Sequence, residues 1–396
     1  MPRVLVLSGP HGLGHTMPAR SFRALFQRAG WTVSAFDSMS LLGRAERAGQ
    51  GVFTALMAVP GAYDGLHFAH LRTGSALARA MDAAAGARTA RALRAELARE
   101  PADAIVSVFA TGAGAAARLK EKATLTGDGP APFPHTVVYC PDVAAHRLWV
   151  HDGTDLFLVT SPAAAASVRR FLPRAQVAVV PPPVRAAFYD APSKDAARQQ
   201  LGIPAGARCA LLIDSGWDLA PIAQAAAALA DAGIYVLAVA GRNRHLEQDM
   251  RAKARNRALF TPFGFTDKVP ALMAAADLVV SLPGATTCSE ARVVGRPLLL
   301  LDVMPGHGRD NLLHELEQGG ARCCGPRAAD IRGAALAMLD AAGGTTGTEA
   351  GCPAHQPPRW EPAYVAALAR IGLDLRARQA GEPGQEGRKT DAYALP

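Results

Sequence analysis

The chain has 396 residues, of which 49% are hydrophobic and 19% charged, so it can bury the cores of two ordinary domains and is not disordered as a whole. No apolar run reaches the ~18 residues of a transmembrane helix and no signal peptide is evident, so we expect a cytoplasmic protein with room for peripheral contact at the inner face of the cell membrane. The formal net charge of +8 fits a solvated basic surface or attraction to anionic lipid headgroups, whereas nucleic acid is not expected as a partner because no basic helix is interleaved with aromatic residues.

Short apolar strands alternate along the first half with helical stretches rich in Ala, Arg and Leu. This alternation predicts parallel strands joined by helical crossovers, with a first helix over 16–29. The predicted strands are 3–8, Trp31–Phe36, Ala104–Phe109, Thr136–Tyr139, Leu156–Thr160 and Val177–Val180. A triple proline at 181–183 can continue neither a strand nor a helix, so the residues up to Pro192 are predicted to connect two domains.

The same alternation resumes in the second half. Predicted strands there are Cys209–Asp214, Tyr235–Ala240, Leu259–Thr261, Leu278–Ser281 and Pro297–Leu301, and predicted helices cover 219–232, 244–256, 267–275, 287–295, 309–319, 327–341 and 361–374. Each half is expected to form a doubly wound α/β sheet that binds ligands at the carboxyl ends of its strands. The expected division is 1–185 for an acceptor-binding domain, 193–345 for a donor-binding domain, 346–376 for a loop and C-terminal helix, and 377–396 for a polar tail whose composition predicts disorder.

A glycine-rich loop follows the first strand and ends at a histidine. Its glycines at 9, 12 and 14 miss the G-x-G-x-x-G pattern of dinucleotide sites, and a phosphate loop needs lysine where His15 stands. The remaining interpretation is a turn, with Gly12 and Gly14, that presents His15 at a helix N-terminus facing the cleft. An imidazole suits a general base at neutral pH, although a histidine that only caps the helix would show the same pattern.

Five motifs in chain order resemble those of the diacylglycerol glycosyltransferases, the family of monogalactosyldiacylglycerol synthases and processive glucosyl enzymes, and of the related lipid II-forming N-acetylglucosaminyltransferase. They are Gly12-x-Gly14-His15, Asp142-x-x-x-His146-x-x-Trp149, Gly241-Arg242-Asn243, Phe263-Gly264-Phe265-Thr266, and Pro283–Ala291 with Pro305-Gly306-x-x-x-x-Asn311. The resemblance extends from about residue 5 to 321. It implies the GT-B fold class, an α/β architecture of two Rossmann-like doubly wound domains facing across a cleft.

The resemblance further implies a UDP-sugar as co-substrate of the second domain. Glu290 is expected to accept hydrogen bonds from the ribose hydroxyls, and the backbone at Gly264 and Phe265 to read the uracil edge. The other expected donor-site residues are Ser215, Gly216, Gly241, Asn243, Gly284, Thr286, Thr287, Ser289, His307 and Asn311. The helix N-terminus after Gly284 can hold a diphosphate and no Asp-x-Asp motif follows a strand, so neither a metal ion nor a cofactor is expected.

The first domain contains the candidate catalytic residues His15, Asp142 and His146. His15, or failing that Asp142, is expected to remove the proton of the acceptor hydroxyl, while Asp142 and His146 could equally form a structural pair. The resemblance implies a lipid acceptor such as diacylglycerol.

Residues 52–74 combine apolar side chains with nearby arginines, as a membrane-surface enzyme requires. The side chains concerned are Phe53, Leu56, Met57, Tyr63, Leu66 and Phe68, with Arg72 and Arg79 close behind. Packing inside the first domain is the alternative interpretation of this stretch.

One segment departs from the family pattern. Where the family has Pro-Gly-Gln-Glu-x-x-Asn, this chain has His307 and Gly308 at the two positions that the resemblance places against the donor sugar, so the identity of that sugar stays open. Three other functions remain possible from the sequence: a transferase acting on a small-molecule acceptor, a UDP-sugar epimerase of similar two-domain build, and a non-catalytic UDP-sugar binder.

Overall fold

The computed structural model describes residues 1–9, 12–39, 59, 61–127, 132–214, 220–343 and 356–375. The first half of this part forms a parallel sheet of β1 Arg3–Ser8, β2 Thr32–Asp37, β3 Ala104–Ser107, β4 His135–Cys140, β5 Leu156–Val159 and β6 Val177–Val179. Its strand order is β2-β1-β3-β4-β5-β6. The chain therefore proceeds to one side of β1 for β2 and to the other side for β3, which creates a topological switch point between β1 and β3.

A second parallel sheet contains β7 Cys209–Ile213, β8 Tyr235–Val239, β9 Phe260–Phe263, β10 Leu278–Ser281, β11 Leu298–Leu301 and β12 Ala321–Cys324. Its order is β12-β11-β10-β7-β8-β9, so the switch point lies between β7 and β10. Ligands of such sheets bind outside the carboxyl ends of the strands at these points.

Helices connect the strands within each sheet. In the first half they are α1 Gly12–Arg28, α2 Ala62–Asp64, a π-helix Gly65–Leu71, α3 Ala76–Arg99, α4 Ala110–Thr126, a 3₁₀ turn Arg147–Trp149 and α5 Pro162–Phe171. In the second half they are α6 Ala186–Tyr189, α7 Lys194–Leu201, α8 Ile222–Ala230, α9 Arg244–Ala254, α10 Val269–Ala275, α11 Ala285–Val294, α12 His307–Glu317, α13 Ala328–Gly343 and α14 Glu361–Ala369. None of the helices in the described ranges combines the length and apolar content needed to cross a bilayer.

The central strands are buried on both faces because helices cover each side of the sheet. Residues 4–7 of β1 and 209–212 of β7 are fully buried, and all four residues of β11 are as well or nearly so. This explains why these strands read in the sequence as continuous apolar runs rather than as alternating patterns. The prediction of two doubly wound α/β units is confirmed.

Two local expectations were wrong. The first helix begins at Gly12 rather than at residue 16, so Gly12 and Gly14 lie in its first turn. Glycine disfavours helix by about 1 kcal/mol per residue, which is why the sequence did not predict this first turn. The later turns of α1 are fixed by Phe22 and Phe26, which are fully buried in the core. Strand β12 was not predicted, because its four residues are partly exposed at the sheet edge and show no apolar run.

The C-terminal helix α14 packs on the first sheet rather than on the second domain that precedes it. Tyr364 is fully buried against Phe22 and Tyr139, with ring centroids 5.4 and 6.2 Å away. The indole Nε1–H of Trp360 donates to the carbonyl of Val184 in the interdomain connection at 2.9 Å. Helix α14 thus contacts both the first domain and the connection that leads to the second.

We expect Trp360→Ala to lower the free energy of unfolding by about 3–5 kcal/mol, as truncation of a buried aromatic side chain does. Trp360 is 5% exposed, whereas Leu125 on α4 is 85% exposed. Leu125→Ala is therefore the matched control and should stay within about 0.5 kcal/mol of the parent. Urea unfolding followed by circular dichroism measures both, and equal small losses would show that α14 is not part of the core.

Candidate active site

His15 lies in the first turn of α1, directly after β1 and beside the switch point of the first sheet. Its Nδ1 lies 2.9 Å from the backbone carbonyl oxygen of Val108. A carbonyl only accepts hydrogen bonds, so Nδ1 carries the proton and, in the neutral ring, Nε2 carries the lone pair. Phe109 packs edge-on against the ring at 4.8 Å. The sequence-predicted base is therefore held in the tautomer that can accept a proton.

Three further rings connect His15 with the opposite domain. The Trp149 ring lies 6.2 Å from that of His15 and 6.3 Å from that of His146, measured between centroids. His146 in turn lies 6.0 Å from His67, which is 6.3 Å from His307 at the start of α12. Through these ring contacts, the predicted catalytic residues of the first domain lie close to segment 305–311 of the second domain, the segment that differs from the family pattern.

Burial lowers the pKa of His146 to about 3; the carboxylate of Asp142 opposes this, and His67 and His307 add to it. At neutral pH the imidazole is therefore uncharged and a poor proton acceptor. Among the three catalytic candidates, this favours an orienting role for His146. Asp142 contributes negative charge to the same region, since it adds to the rise in the pKa of Tyr63 that burial causes.

Helical residues 62–71 of the first domain, with Arg72 directly after them, contact residues 305–311 of the second, and we call this the interdomain clasp. His67 Nε2 lies 3.1 Å from a carboxylate oxygen of Asp310, and Arg72 donates to the other at 2.8 Å. The Tyr63 hydroxyl lies 3.2 Å from Nδ1 of His307. The carboxylate of Asp64 accepts from the amide of Gly306 at 2.6 Å.

The close approach of segment 305–311 to Tyr63 in the clasp requires glycine at position 306. Its φ of +63° lies in the region that favours glycine, and a side chain there would overlap the Tyr63 ring.

Asn311, expected in the donor site, also bonds to the first domain. Its side-chain oxygen accepts from the amide of Val143, the residue after Asp142, at 3.2 Å. Both His307 and Asn311 are thus bound across the cleft by groups of the first domain.

The N-terminus of α11 faces the same cleft. It follows β10 at the switch point of the second sheet, and its N-cap residue, Gly284, has no side chain to bond the first-turn amides. Helix α11 contacts α1 across the cleft. Thr286 and Thr287 lie in the first turn, while the Ser289 hydroxyl donates to the Ala285 carbonyl at 2.6 Å. Free amides at a helix N-terminus form an anion site.

Glu290 is the least exposed carboxylate of this region, at 5% exposure, and it has a partner that the sequence did not reveal. Arg185, in the connection between the domains, donates through Nε and a terminal nitrogen to Oε1 at 3.1 and 3.0 Å. Burial raises the pKa of Glu290 to about 7, and Arg185 opposes that rise. Oε2 is not used by Arg185.

Two turns of the second domain contain further predicted donor-site residues, with Gly241 and Asn243 on one and the predicted uracil contacts Gly264 and Phe265 on the other. Gly241 has φ +58° and Asn243 caps α9 by accepting from the amide of Leu246 at 3.0 Å. A side chain at Gly264 would collide with the Glu247 carboxylate. Phe265 is 65% exposed, and the Arg242 guanidinium lies 5.0 Å from its ring centroid. For Asn243 the structure shows a structural role.

Several predicted residues are outside the described ranges. They are Ser215 and Gly216 of the donor site, and Phe53, Leu56 and Met57 of the apolar stretch. Of the remaining apolar stretch, Phe68 is 37% exposed, but Tyr63 is 7% exposed and lies in the clasp rather than on a surface patch. The prediction that Tyr63 faces a membrane was therefore wrong. In the described part of the chain, no group of three or more His, Cys, Asp or Glu side chains could hold a metal ion.

Sequence reasoning missed Arg185, His67 and Asp310 as members of this site. His67 lies inside the stretch that was interpreted as a membrane patch, and Arg185 follows a proline run with no motif of its own. Only the positions of their partners, 105 and 243 residues away along the chain, identify them. The departure of segment 305–311 from the family pattern was the one usable signal for Asp310.

Residues 219–317 match the family model of the glycosyltransferase family 28 C-terminal domain, a range that includes every described donor-site residue named above. Over 186 residues the chain is 26% identical to monogalactosyldiacylglycerol synthase 3 of Arabidopsis thaliana and 22% identical to a processive diacylglycerol beta-glucosyltransferase of Bacillus cereus. These alignments cover 44% and 46% of this chain, and 40% and 47% of the relatives. The chain thus spans less than half the length of the curated relatives it matches.

Among solved structures, MurG of Acinetobacter baumannii superimposes with a TM-score of 0.52 at 13% identity, covering 86% of this chain and 91% of MurG. UGT2 of Phytolacca americana superimposes with a TM-score of 0.53 at 13% identity, covering 86% and 91%. At such low identity these likenesses establish the fold alone. The GT-B architecture and the resemblance to the diacylglycerol glycosyltransferases are confirmed.

The raised pKa of Glu290 predicts a pH-dependent stability. Its folded pKa of about 7 exceeds the ordinary 4.5, so its contribution is fully present below pH 4.5 and is lost as the pH rises through 7. Relative to Glu290→Gln, wild-type protein should lose about 3 kcal/mol of unfolding free energy across this window. Urea unfolding at several pH values measures the difference. The exposed Glu317→Gln is the control, and a pH-independent difference between wild type and Glu290→Gln would contradict the assignment.

Proposed function

We propose that the chain is an inverting hexosyltransferase that moves a hexose from a UDP-sugar to a lipid hydroxyl such as that of diacylglycerol. The observation that carries the proposal is that the switch points of the two sheets face each other. His15 lies in the first turn of α1 at one, the open N-terminus of α11 lies at the other, and α1 contacts α11 across the cleft. A proton acceptor and an anion site thus face the same space, as transfer from a sugar diphosphate requires.

The reaction follows from these two groups. The acceptor hydroxyl gives its proton to Nε2 of His15 as its oxygen bonds to the anomeric carbon of the sugar. The bond between that carbon and the diphosphate oxygen breaks, and UDP leaves with the electron pair. Attack from the face opposite the diphosphate inverts the anomeric configuration. His146, neutral at pH 7, orients the acceptor together with Asp142.

The leaving UDP is held by the second domain. First-turn amides of α11 receive the diphosphate, and their partial positive charge stabilises the negative charge that develops there, so the proposal needs no metal ion. Glu290 offers Oε2 to the ribose hydroxyls while Arg185 holds Oε1. The uracil lies by Gly264 and Phe265, where Phe265 is well exposed for contact.

A lipid acceptor is supported by the relatives, whose names describe enzymes acting on diacylglycerol. It is also supported by an exposed apolar side chain beside the clasp, since the Phe68 ring lies 4.9 Å from that of His67 and Phe68 is 37% exposed. Arg79, exposed in the first turn of α3, supplies positive charge near an anionic membrane. We therefore place the enzyme peripherally on a membrane surface.

The test is UDP release from UDP-glucose and UDP-galactose with and without vesicles of diacylglycerol and an anionic lipid. We expect release with one sugar to rise severalfold with vesicles, and Phe68→Ser to remove most of that rise because it deletes an apolar membrane contact. Leu313→Ser is the control, being 60% exposed on the other domain. Vesicle-independent release would favour a small-molecule acceptor, and UDP binding without release would favour a non-catalytic binder.

His15→Gln should lower kcat at least about a hundredfold, because the neutral amide cannot accept the proton. The Kd for UDP should stay within about twofold, since His15 belongs to the other domain. Steady-state kinetics and calorimetric titration measure the two effects. His245→Gln, an exposed histidine on α9, serves as the control. A kcat within twofold of wild type in His15→Gln would remove His15 from the role of base.

A further inference from the structure

His67 is a buried histidine with one ring nitrogen that lacks a partner. Its side chain is 0% exposed, and Nε2 lies 3.1 Å from Asp310, which Arg72 also binds. Nδ1 is equally buried and has no hydrogen-bond partner among the described residues. A buried polar atom left without a partner destabilises the fold, so such an atom calls for an explanation.

The geometry determines what kind of group Nδ1 can bind. Because Nε2 faces a carboxylate, which only accepts, the ring proton lies on Nε2 and Nδ1 of the neutral ring carries a lone pair. Nδ1 is therefore an acceptor that lacks a donor. Neither an amine nor an amide of the described residues reaches it. A hydroxyl is the donor that a sugar supplies.

The surroundings of His67 are those of a sugar site. The rings of His146 and His307 pack against it with centroids at 6.0 and 6.3 Å, and His307, a partly exposed residue, connects it with the cleft. His146 also has a buried Nδ1 with no partner in the described part of the chain. Two unpartnered imidazole nitrogens thus lie beside His307, one of the two positions that the resemblance places against the hexose of the UDP-sugar.

We propose that His67 is a donor-sugar ligand supplied by the first domain, whose Nδ1 accepts a hydrogen bond from a hydroxyl of the hexose while Asp310 fixes its ring. This rests on the proposed function and extends it, because it assigns part of the sugar recognition to the acceptor-side domain. It also explains how this chain can contact the sugar although residues 307 and 308 differ from the family pattern. Gly308 has no side chain for the sugar, and His67, anchored by Asp310 of segment 305–311, provides a contact instead.

Two substitutions separate sugar binding from a purely structural role. His67→Gln keeps a donor for Asp310 but loses the Nδ1 acceptor, whereas His67→Asn keeps an acceptor near the Nδ1 position but loses the bond to Asp310. We expect the Kd for the preferred UDP-sugar to rise about fivefold to tenfold in His67→Gln and to stay within about twofold in His67→Asn. If His67 acts only through its bond to Asp310, the Kd should instead rise in His67→Asn and stay near the wild-type value in His67→Gln.

Calorimetric titration of UDP, UDP-glucose and UDP-galactose measures these effects. The Kd for UDP alone should be unchanged in both variants, because UDP lacks the hexose. His70→Gln is the matched control, since His70 lies on the same helical segment and its Nδ1 lies 3.1 Å from the Ser75 hydroxyl. If His67→Gln binds the UDP-sugar as wild type does, the His67 assignment is overturned while the proposed function stands.

A wild-type protein that binds neither UDP nor a UDP-sugar would overturn the proposed function and the His67 assignment together. Should His67→Gln fail to fold, nitrogen NMR of the histidine rings in the wild-type protein decides the question. The Nδ1 resonance of His67 should shift on addition of the UDP-sugar and not of UDP. An equal response to both ligands would overturn the assignment.

Discussion

A parallel sheet must be covered on both faces, and this constraint organises both halves of the chain. Each covering helix returns the chain to the end of the sheet where the next parallel strand begins. All strands of a sheet therefore have their carboxyl ends together, and the helices begin at that end. At each switch point two neighbouring connections diverge and leave a crevice. His15 and Gly284 stand at these two crevices, and the approach of α1 to α11 brings them to one cleft.

The clasp between the helical residues 62–71 with Arg72 and the segment 305–311 adds a second layer to that arrangement. Its contacts are polar and largely buried, and they join Tyr63, Asp64, His67 and Arg72 to backbone and side-chain groups of the other domain. Buried ionic contacts are weak contributors to stability but hold a defined geometry. Asp310 and Gly306 of segment 305–311 are used for contacts to the first domain rather than left facing solvent.

The connection between the domains also takes part in the site. Arg185 follows a proline run that restricts the backbone, and Trp360 bonds Val184 immediately before it. The guanidinium is thereby held beside Glu290, whose burial would otherwise favour the protonated form even more strongly. A residue of the interdomain connection thus acts on the charge state of a residue in the second domain.

The alternation of strands and helices, and eleven of the twelve strands that the described residues form, follow from the amino-acid sequence. So do the strand-to-helix segments that contain His15, Gly284 and Glu290, because apolar runs and glycine turns are local features. Edge strand β12 lacked such a run, and the glycines at 12 and 14 gave no local signal for the helical start at Gly12. Tertiary structure alone decided that Tyr63 and His67 face α12 rather than a membrane, and that Arg185 reaches Glu290. These pairs lie more than a hundred residues apart along the chain, and no local pattern specifies which distant group will fill a buried hydrogen-bonding position.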